Sequence, residues 1–174
     1  MKRLYAPWRS NYVTDSGKKE NNLAISKDTC VFCQQVANQP DDVSYVLRRC
    51  DLCFVMLNRY PYNGGHILVL PFDHKPDLED LTPATRSEMI EVVSTSKRVL
   101  QNVLNPQGFN IGINLGSAGG GGIPSHLHIH IIPRWRGDTS FLETVGSTKL
   151  VSADLDDVYR NVKNGFDTLL GKQQ

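Results

Sequence analysis

The period of the hydrophobic pattern changes along the chain, and each change predicts a different element. Apolar residues recur at helical spacing after Thr82 and Pro83, and again over 154–170, which predicts two helices with one buried face each. Short apolar runs bounded by turn residues predict strands at 44–48, 52–57, 67–71 and 109–115. This mixture predicts an α+β fold, with helices on one face of a mainly antiparallel sheet.

A second pattern, the strict alternation of imidazole and aliphatic side chains, occupies residues 126–131. Successive side chains of a strand point to opposite faces, so His126, His128 and His130 are predicted to share one face. The opposite, aliphatic face is suited to a core. Imidazole can act as base, acid, nucleophile or metal ligand near neutral pH, so we expect the histidine face to line a site.

A glycine-rich run, residues 116–122, lies directly upstream of the histidines. Such a segment exposes backbone N–H groups that can wrap around an anion. The predicted strand 109–115, the glycine run and the histidine strand together form a hairpin-like unit. We therefore expect the glycine loop to lie beside the imidazoles.

The length of the chain limits its domain organisation. A chain of 174 residues suits one domain with a sizeable core. We expect an irregular N-terminal arm over 1–25 and a central domain over 26–140. The remaining residues, 141–174, are expected to form a C-terminal extension whose helix packs on the same domain.

The charges of the chain are nearly balanced, with 19 basic and 18 acidic residues and a net charge of +1. This balance argues against nucleic acid or a membrane surface as a partner. No apolar run approaches the roughly 18–20 residues that span a bilayer. No apolar segment follows the basic N-terminus either, so we expect a soluble cytoplasmic protein.

The four cysteines form two Cys-x-x-Cys pairs. For Cys30 and Cys33 this spacing indicates metal binding or redox chemistry, with two small buried thiols as the structural alternative. No thioredoxin-like βαβ pattern surrounds them, which favours metal over redox chemistry. Cys50 and Cys53 are expected to be separate core or surface thiols, because residues i and i+3 of a strand point to opposite faces.

The histidine segment, His-Leu-His-Ile-His-Ile-Ile over 126–132, resembles the H-x-H-x-H-x-x signature of the histidine triad (HIT) superfamily. Residues 58–71 and 110–116 are similar to the family's strands upstream of this signature. Segments 4–12 and 133–138 resemble the diadenosine tetraphosphate phosphorylase-like branch. The resemblance implies a HIT-like α+β fold, a homodimer, and adenine nucleotides or dinucleoside polyphosphates as substrates.

By the same resemblance, His128 is the nucleophile that attacks the α-phosphorus and becomes nucleotidylated. His130 contacts the phosphate oxygens or the leaving group, and His66 orients the triad. Inorganic phosphate or water then accepts the nucleotidyl group, and no organic cofactor takes part. The alternatives are a HIT-type hydrolase, an adenosine phosphoramidase, a nucleotide-binding regulatory module and a zinc-stabilised interaction domain.

The resemblance also implies substrate contacts. Asn58 would contact the ribose hydroxyls and Asn114 the phosphates or ribose, since an amide both donates and accepts hydrogen bonds. Hydrolase-like members carry Gln and Ser or Thr where this chain has Gly122 and Ile123, a departure that is consistent with the phosphorylase-like branch. The predicted phosphate-binding groups are therefore the backbone N–H groups of Gly119, Gly120, Gly121 and Gly122, and the hydroxyls of Ser117 and Ser125.

A structural zinc ion is the metal that the resemblance implies. Tetrahedral zinc takes four Cys or His ligands. In some HIT proteins and the related galactose-1-phosphate uridylyltransferases, a histidine after the second strand and the first triad histidine complete the set. The corresponding ligands here are Cys30, Cys33, His74 and His126. Such an ion would pin the N-terminal segment against the catalytic strand and leave His128 free to react.

Overall fold

The structure is a computed structural model that describes residues 27–138 and 153–171. The expected arm over 1–25 lies outside the described residues, as does the start of the expected extension, 141–152. Within the described part, the helix expected in that extension packs on the same core as the sheet.

Five strands among the described residues form one sheet, in which all neighbouring strands are antiparallel. The strands are β1 (Val46–Arg49), β2 (Cys53–Leu57), β3 (Ile67–Pro71), β4 (Gly108–Ile113) and β5 (Ile129–Arg134). Their spatial order is β1-β2-β3-β5-β4. The helices are α1 (Val31–Asn38), α2 (Asp41–Ser44), α3 (Pro83–Leu104) and α4 (Leu155–Leu170). The predicted α+β class and antiparallel sheet are confirmed.

Helix α3 begins where its sequence signals predict. The Thr82 hydroxyl accepts a hydrogen bond from the Thr85 N–H at 3.1 Å, and Pro83 takes a first-turn position that needs no N–H donor. The helix ends at Asn105, whose left-handed φ of 46° asparagine tolerates better than most residues. None of the described helices is both long enough and apolar enough to cross a membrane.

Both long helices lie on one face of the sheet, as predicted. The core beneath them takes alternate residues of the central strands, including Val55, Ile67 and Val69. The opposite face is covered by α1, a short helix that the sequence pattern did not indicate, where Phe32 packs with Phe54 and other residues of β2 and β3. Since both faces are covered, β2 and β3 are continuous apolar runs.

The histidine segment departs from its prediction in one respect, because β5 begins only at Ile129 and two histidines precede it. Its partner β3 ends at Pro71, which has no N–H to continue the ladder. The Leu127 N–H instead donates to the carbonyl of Lys75 at 2.7 Å, which holds the segment against the loop that follows β3. The predicted alternation survives, since Leu127 and Ile129 lie in the main core.

Gly165 marks a close approach of the two long helices. A Cβ atom at this position would lie 2.5 Å from Cγ2 of Val103 and 2.9 Å from Cγ1 of Val99, both on α3. Valine side chains packed between helices cannot retreat without disturbing their own neighbours. The packing of α4 on α3 therefore requires glycine here.

We expect Gly165→Val to lower the free energy of unfolding by about 2–3 kcal/mol, because the branched side chain overpacks the helix contact. Urea unfolding of the purified chain measures this change. Asn164→Val is the matched control, since it puts the same side chain on the exposed side of α4 and should cost less than about 0.5 kcal/mol. Equal destabilisation by the two substitutions would contradict the close-packing argument.

Candidate active site

A cavity of about 350 Å³ opens on the face of the sheet that α1 covers. Its polar lining includes His128, His130 and Asn58, three of the residues predicted from the sequence, together with Arg59, and Gly122 also lines it. An apolar wall with a few convergent polar groups is typical of small-molecule sites. That wall includes Val31, Phe32, Met56, Leu68 and Ile123.

His128 presents a fixed tautomer to this cavity. Its Nδ1 lies 2.8 Å from the carbonyl oxygen of His126, and a carbonyl can only accept, so Nδ1 carries the proton and donates. Nε2 is therefore left with a lone pair. Burial lowers the pKa of His128 below its ordinary value, so the ring is neutral at pH 7. A neutral imidazole with one free nitrogen can act as a nucleophile.

His130 receives the opposite tautomer through a relay that begins at the backbone. The N–H of Tyr62 donates to Nδ1 of His66 at 3.1 Å, so the proton of His66 is on Nε2. That Nε2–H then donates to Nδ1 of His130 at 2.9 Å, which leaves the proton of His130 on Nε2. Burial lowers the pKa of His66 to about 3 and that of His130 to about 4, so both rings are neutral at pH 7.

Two buried polar atoms near the histidines have no hydrogen-bond partner among the described residues: Nε2 of His130 and the hydroxyl oxygen of Ser125. A buried donor without a partner costs free energy unless a ligand or water satisfies it. Both residues were predicted to contact phosphate. Of the two, the Nε2–H of His130 belongs to a residue that lines the cavity beside His128 and is available there to an anion.

The two predicted asparagines make contacts within the protein. Oδ1 of Asn58 accepts the N–H of Tyr60 at 3.0 Å, and its Nδ2 lies 3.2 Å from Nδ1 of His66. Nδ2 of Asn114 donates to the carbonyl of Gly120 at 3.4 Å. Asn58 therefore supports the His66 relay at the cavity wall, whereas Asn114 orders the glycine loop.

The glycine loop is more closed than the sequence suggested. Gly116 and Gly120 adopt positive φ angles of 67° and 89°, which a side chain would strain. The N–H of Gly120 donates to Ser117 at 2.9 Å, and that of Gly121 donates to Gly116 at 3.4 Å. These two N–H groups therefore turn inward, because the loop completes a 3-10 turn. The expected cradle of all four glycine N–H groups is not formed in this conformation.

Two sulfurs and two imidazole nitrogens form a second cluster, which includes the first histidine of the triad, His126. Ligand atoms of Cys30, Cys33, His74 and His126 all lie within 4.8 Å of one another. Nδ1 of His126 is 3.4 Å from each sulfur and 3.3 Å from Nδ1 of His74. Its Nε2 lies 3.0 Å from the carbonyl oxygen of Pro71, so Nε2 carries the proton and Nδ1 offers its lone pair to the cluster.

The chemistry of this donor set fits a divalent cation. Burial, and then the neighbouring Cys30, raise the pKa of the Cys33 thiol to about 11, so a cation is needed to hold the thiolate. Burial lowers the pKa of His126 to about 4, which keeps its ring available as a neutral ligand. Two thiolates and two imidazoles match the tetrahedral preference of zinc.

Sequence reasoning missed two parts of the site. Tyr62 supplies the N–H that sets the relay, and its ring lies 4.8 Å from that of His66 and 5.8 Å from that of His130. Phe32 packs 5.3 Å from the ring of His128, between centroids. Tyr62 carried a signal, since it lies in the segment before His66 that resembles the family, whereas nothing around Phe32 marked a cavity wall.

The loop that carries Tyr62 is anchored to the end of β5. Asn63 donates from Nδ2 to the carbonyl of Pro133 at 2.9 Å and to a carboxylate oxygen of Asp138 at 2.8 Å. Arg134 holds the same carboxylate with an N···O distance of 2.6 Å. Segment 133–138 therefore fixes the loop from which the histidine relay starts.

The sequence of the chain is similar to those of known proteins. The family model for the HIT domain matches residues 39–137. The chain is 36% identical over 160 residues to a Mycobacterium tuberculosis protein named AP-4-A phosphorylase, covering 92% of this chain and 82% of that protein. It is 37% identical over 97 residues to the asymmetrical bis(5'-nucleosyl)-tetraphosphatase of Schizosaccharomyces pombe, covering 56% and 53% of the two chains.

A solved structure agrees with the fold. A zinc-bound histidine triad family protein from Mycobacterium smegmatis superposes with a TM-score of 0.67 and 28% identity, covering 83% of this chain and 97% of the other. The similarity to this structure and to the HIT domain model therefore covers most of the described residues, which include the triad, the cysteine–histidine cluster and the five-stranded sheet. From its sequence and its fold alike, the chain belongs to the HIT domain family.

Proposed function

We propose that the protein is a diadenosine tetraphosphate phosphorylase that works through a nucleotidylated His128. The observation that carries the proposal is the pairing of two tautomers at one cavity. His128 offers a lone pair on Nε2, whereas His130 offers an unpartnered Nε2–H. A nucleophile beside a charge-stabilising donor is the arrangement that phosphoryl-group chemistry needs. The similarity to AP-4-A phosphorylase supports this choice of substrate.

The reaction would proceed in two displacements. Nε2 of His128 attacks the α-phosphorus of one adenylyl group, the bond to the bridging oxygen breaks, and ATP leaves. The Nε2–H of His130 donates to the phosphate oxygens or to the leaving oxygen. An oxygen of inorganic phosphate then attacks the nucleotidyl phosphorus, which releases ADP and restores the free nitrogen of His128. With water as the acceptor, the product of the second step would be AMP.

The cavity provides complementary places for the parts of a nucleotide. The apolar wall with Phe32 and Ile123 suits a base, and Asn58 at the cavity margin suits the ribose hydroxyls. The phosphates would lie between His128 and the glycine loop, where Gly122 and the Ser125 hydroxyl are candidate donors. Binding of an anion there would require the inward N–H groups of the loop to reorient.

We also propose a structural zinc ion at the cluster of Cys30, Cys33, His74 and His126. The zinc-bound state of the similar Mycobacterium smegmatis protein supports this metal. When bound, the ion would neutralise the two thiolates and hold α1 against the residues that precede β5. His128 is not among its ligands, so the nucleophile would remain free to react.

A homodimer and a cytoplasmic location complete the proposal. Strand β4 lies at the edge of the sheet, and Ile111 and Leu115 on and beside it are 49% and 41% exposed. An exposed edge strand can pair with a second copy of the chain. Light scattering would then report twice the mass of the 19.5 kDa chain. All four cysteines are free thiols, as is usual in the cytoplasm.

The first test is a product assay with diadenosine tetraphosphate. We expect ADP plus ATP in the presence of inorganic phosphate, and His128→Ala to reduce turnover by at least about 10³-fold, because no other group can form the covalent intermediate. Quenching of the unmodified enzyme in alkaline denaturant should trap a nucleotidyl group on His128, because the P–N bond of this intermediate is labile in acid and stable in alkali. The variant should retain its zinc content and melting temperature, which separates loss of chemistry from loss of folding.

The other outcomes of this assay identify the rivals. Phosphate-independent formation of AMP plus ATP would make the protein a hydrolase. Turnover of an adenosine phosphoramidate alone would make it a phosphoramidase. Nucleotide binding that raises the melting temperature without any product would indicate a regulatory module. A fully active His128→Ala protein would exclude the proposed nucleophile.

The zinc proposal is tested by comparing two cysteine substitutions. Cys33→Ser should reduce zinc from about one equivalent to below a tenth and lower the melting temperature, because a ligand to a structural ion is lost. Cys50→Ser is the matched control outside the cluster and should keep its zinc. Elemental analysis of metal-replete protein gives the readout, and a zinc-free unsubstituted chain would refute the four-ligand site.

A further inference from the structure

The second cysteine pair forms a cluster on the α3 side of the sheet. Cys50 and Cys53 flank the turn between β1 and β2, and the N–H of Cys50 donates to the carbonyl of Cys53 at 2.8 Å. Their sulfurs and a carboxylate oxygen of Glu88 all lie within 4.8 Å of one another. Cys53 is a core thiol and Cys50 a partly exposed one, as expected, but their sulfurs lie close together because the residues lie on both sides of a hairpin rather than along one strand.

The two thiols have different surroundings. Cys50 is partly exposed at the turn, whereas Cys53 is fully buried. The Cys53 thiol donates to Oε1 of Glu88 at 3.3 Å. Hydrogen bonding from Cys53 lowers the pKa of Cys50, and the same bond together with burial raises the pKa of Cys53. A partly exposed thiol with a lowered pKa thus lies next to a buried thiol that is hydrogen-bonded to a carboxylate.

Glu88 is oriented by the turn itself. Its Oε1 accepts the N–H of Leu52 at 2.8 Å and that of Cys53 at 3.1 Å, in addition to the thiol. These donors occupy one of its two carboxylate oxygens, and among the described residues no imidazole joins this cluster. The arrangement therefore favours thiol chemistry, in contrast to the four-ligand cluster at Cys30.

The backbone geometry allows a bond between the two sulfurs. Cys50 and Cys53 face each other across the end of the hairpin, adjacent to the Arg49–Phe54 pair of the β1–β2 ladder. Residues that lie opposite each other in an antiparallel pair have Cα atoms about 4.5–5.5 Å apart. Disulfides bridge Cα separations of roughly 4.4–6.8 Å. Closure would therefore need rotation of the side chains and no large movement of the strands.

We infer that Cys50 and Cys53 form a thiol–disulfide exchange site whose substrate is a low-molecular-weight disulfide. The Cys50 thiolate attacks one sulfur of that molecule, its S–S bond breaks, and one small thiolate leaves. Glu88 accepts the proton of Cys53, and the Cys53 sulfur attacks the sulfur of Cys50, which releases the second small thiolate. The two protein sulfurs are oxidised to one disulfide and the small disulfide is reduced to two thiolates, of which one receives the Cys53 proton through Glu88 and the other takes a proton from water.

The test treats zinc-loaded protein with oxidised glutathione and maps the cysteines by trypsin and mass spectrometry. Cys50 and Cys53 share the peptide Cys50–Arg59, whereas Cys30 and Cys33 share Asp28–Arg48. We expect the first peptide to lose two hydrogens and to resist alkylation, and the second to remain reduced. A reduced Cys50–Arg59 peptide under conditions that oxidise the denatured chain would overturn the inference.

Substitutions separate the roles of the three groups. Cys53→Ser should stop the reaction at glutathione bound to Cys50, and Cys50→Ser should leave the buried Cys53 unmodified. Glu88→Gln keeps an oxygen for the backbone N–H groups but is a weaker base, so the mixed disulfide should persist about tenfold longer. Glu91→Gln, on an exposed position of α3, is the matched control and should match the unsubstituted chain. Equal lifetimes for the two glutamine variants would exclude Glu88 as the proton acceptor.

A metal at this cluster is the competing outcome. If metal-replete protein held a second equivalent of zinc that Cys50→Ser lost, the cluster would be a metal site and the inference would fail. Because no step involves His128, the result is independent of the proposed phosphorylase. His128→Ala should form the Cys50–Cys53 disulfide at the unsubstituted rate.

Discussion

The hydrogen bond from Nδ1–H of His128 to the carbonyl oxygen of His126 determines which nitrogen of His128 can react. It holds only while the backbone at His126 stays in place. The side chain of His126 secures that backbone, because Nε2–H donates to the carbonyl of Pro71 and Nδ1 faces the sulfurs of Cys30 and Cys33. One residue thus connects the end of β3, the cysteine segment and the nucleophile. The reactivity of the site therefore depends on residues outside the triad strand, at the end of β3 and in the cysteine segment.

Burial keeps the site free of ionised imidazoles. It lowers the pKa values of His66, His126, His128 and His130, so four rings share a small volume without like-charge repulsion. Each neutral ring must carry its proton on one particular nitrogen for the site to work. Backbone groups fix this choice, since the Tyr62 N–H donates to His66 and the His126 carbonyl accepts from His128. The substrate's own phosphates would then face the Nε2–H of His130, a donor that the relay has already oriented.

The sequence predicted most reliably what local interactions determine. Thr82, Pro83 and Asn105 bound α3 through their own backbone preferences, and β3 is a short apolar run closed by proline. The sequence did not predict the features that depend on contacts between residues distant in the chain. The start of β5 depends on Pro71 in another strand, and α1 is too short to show a buried stripe until the sheet beneath it exists. The predicted strands over 44–48 and 52–57 implied the turn between them, but the position of Glu88 beside the sulfurs of Cys50 and Cys53 depends on the packing of α3 against the sheet. The complete set of four ligands in the cysteine–histidine cluster could be predicted only from the family resemblance.

Helix α1 contributes residues both to the cavity and to the cysteine–histidine cluster. Phe32 lines the cavity and packs 5.7 Å from the ring of His126, and the next residue, Cys33, faces the cluster. A cation at the cluster and a nucleotide in the cavity would therefore order the same short helix. Two ligands that stabilise one element must favour each other's binding, and thermodynamic reciprocity makes the two effects equal in size. In a cell where zinc is scarce, the affinity of such a protein for its nucleotide would fall by the same factor by which the nucleotide helps it to retain its metal.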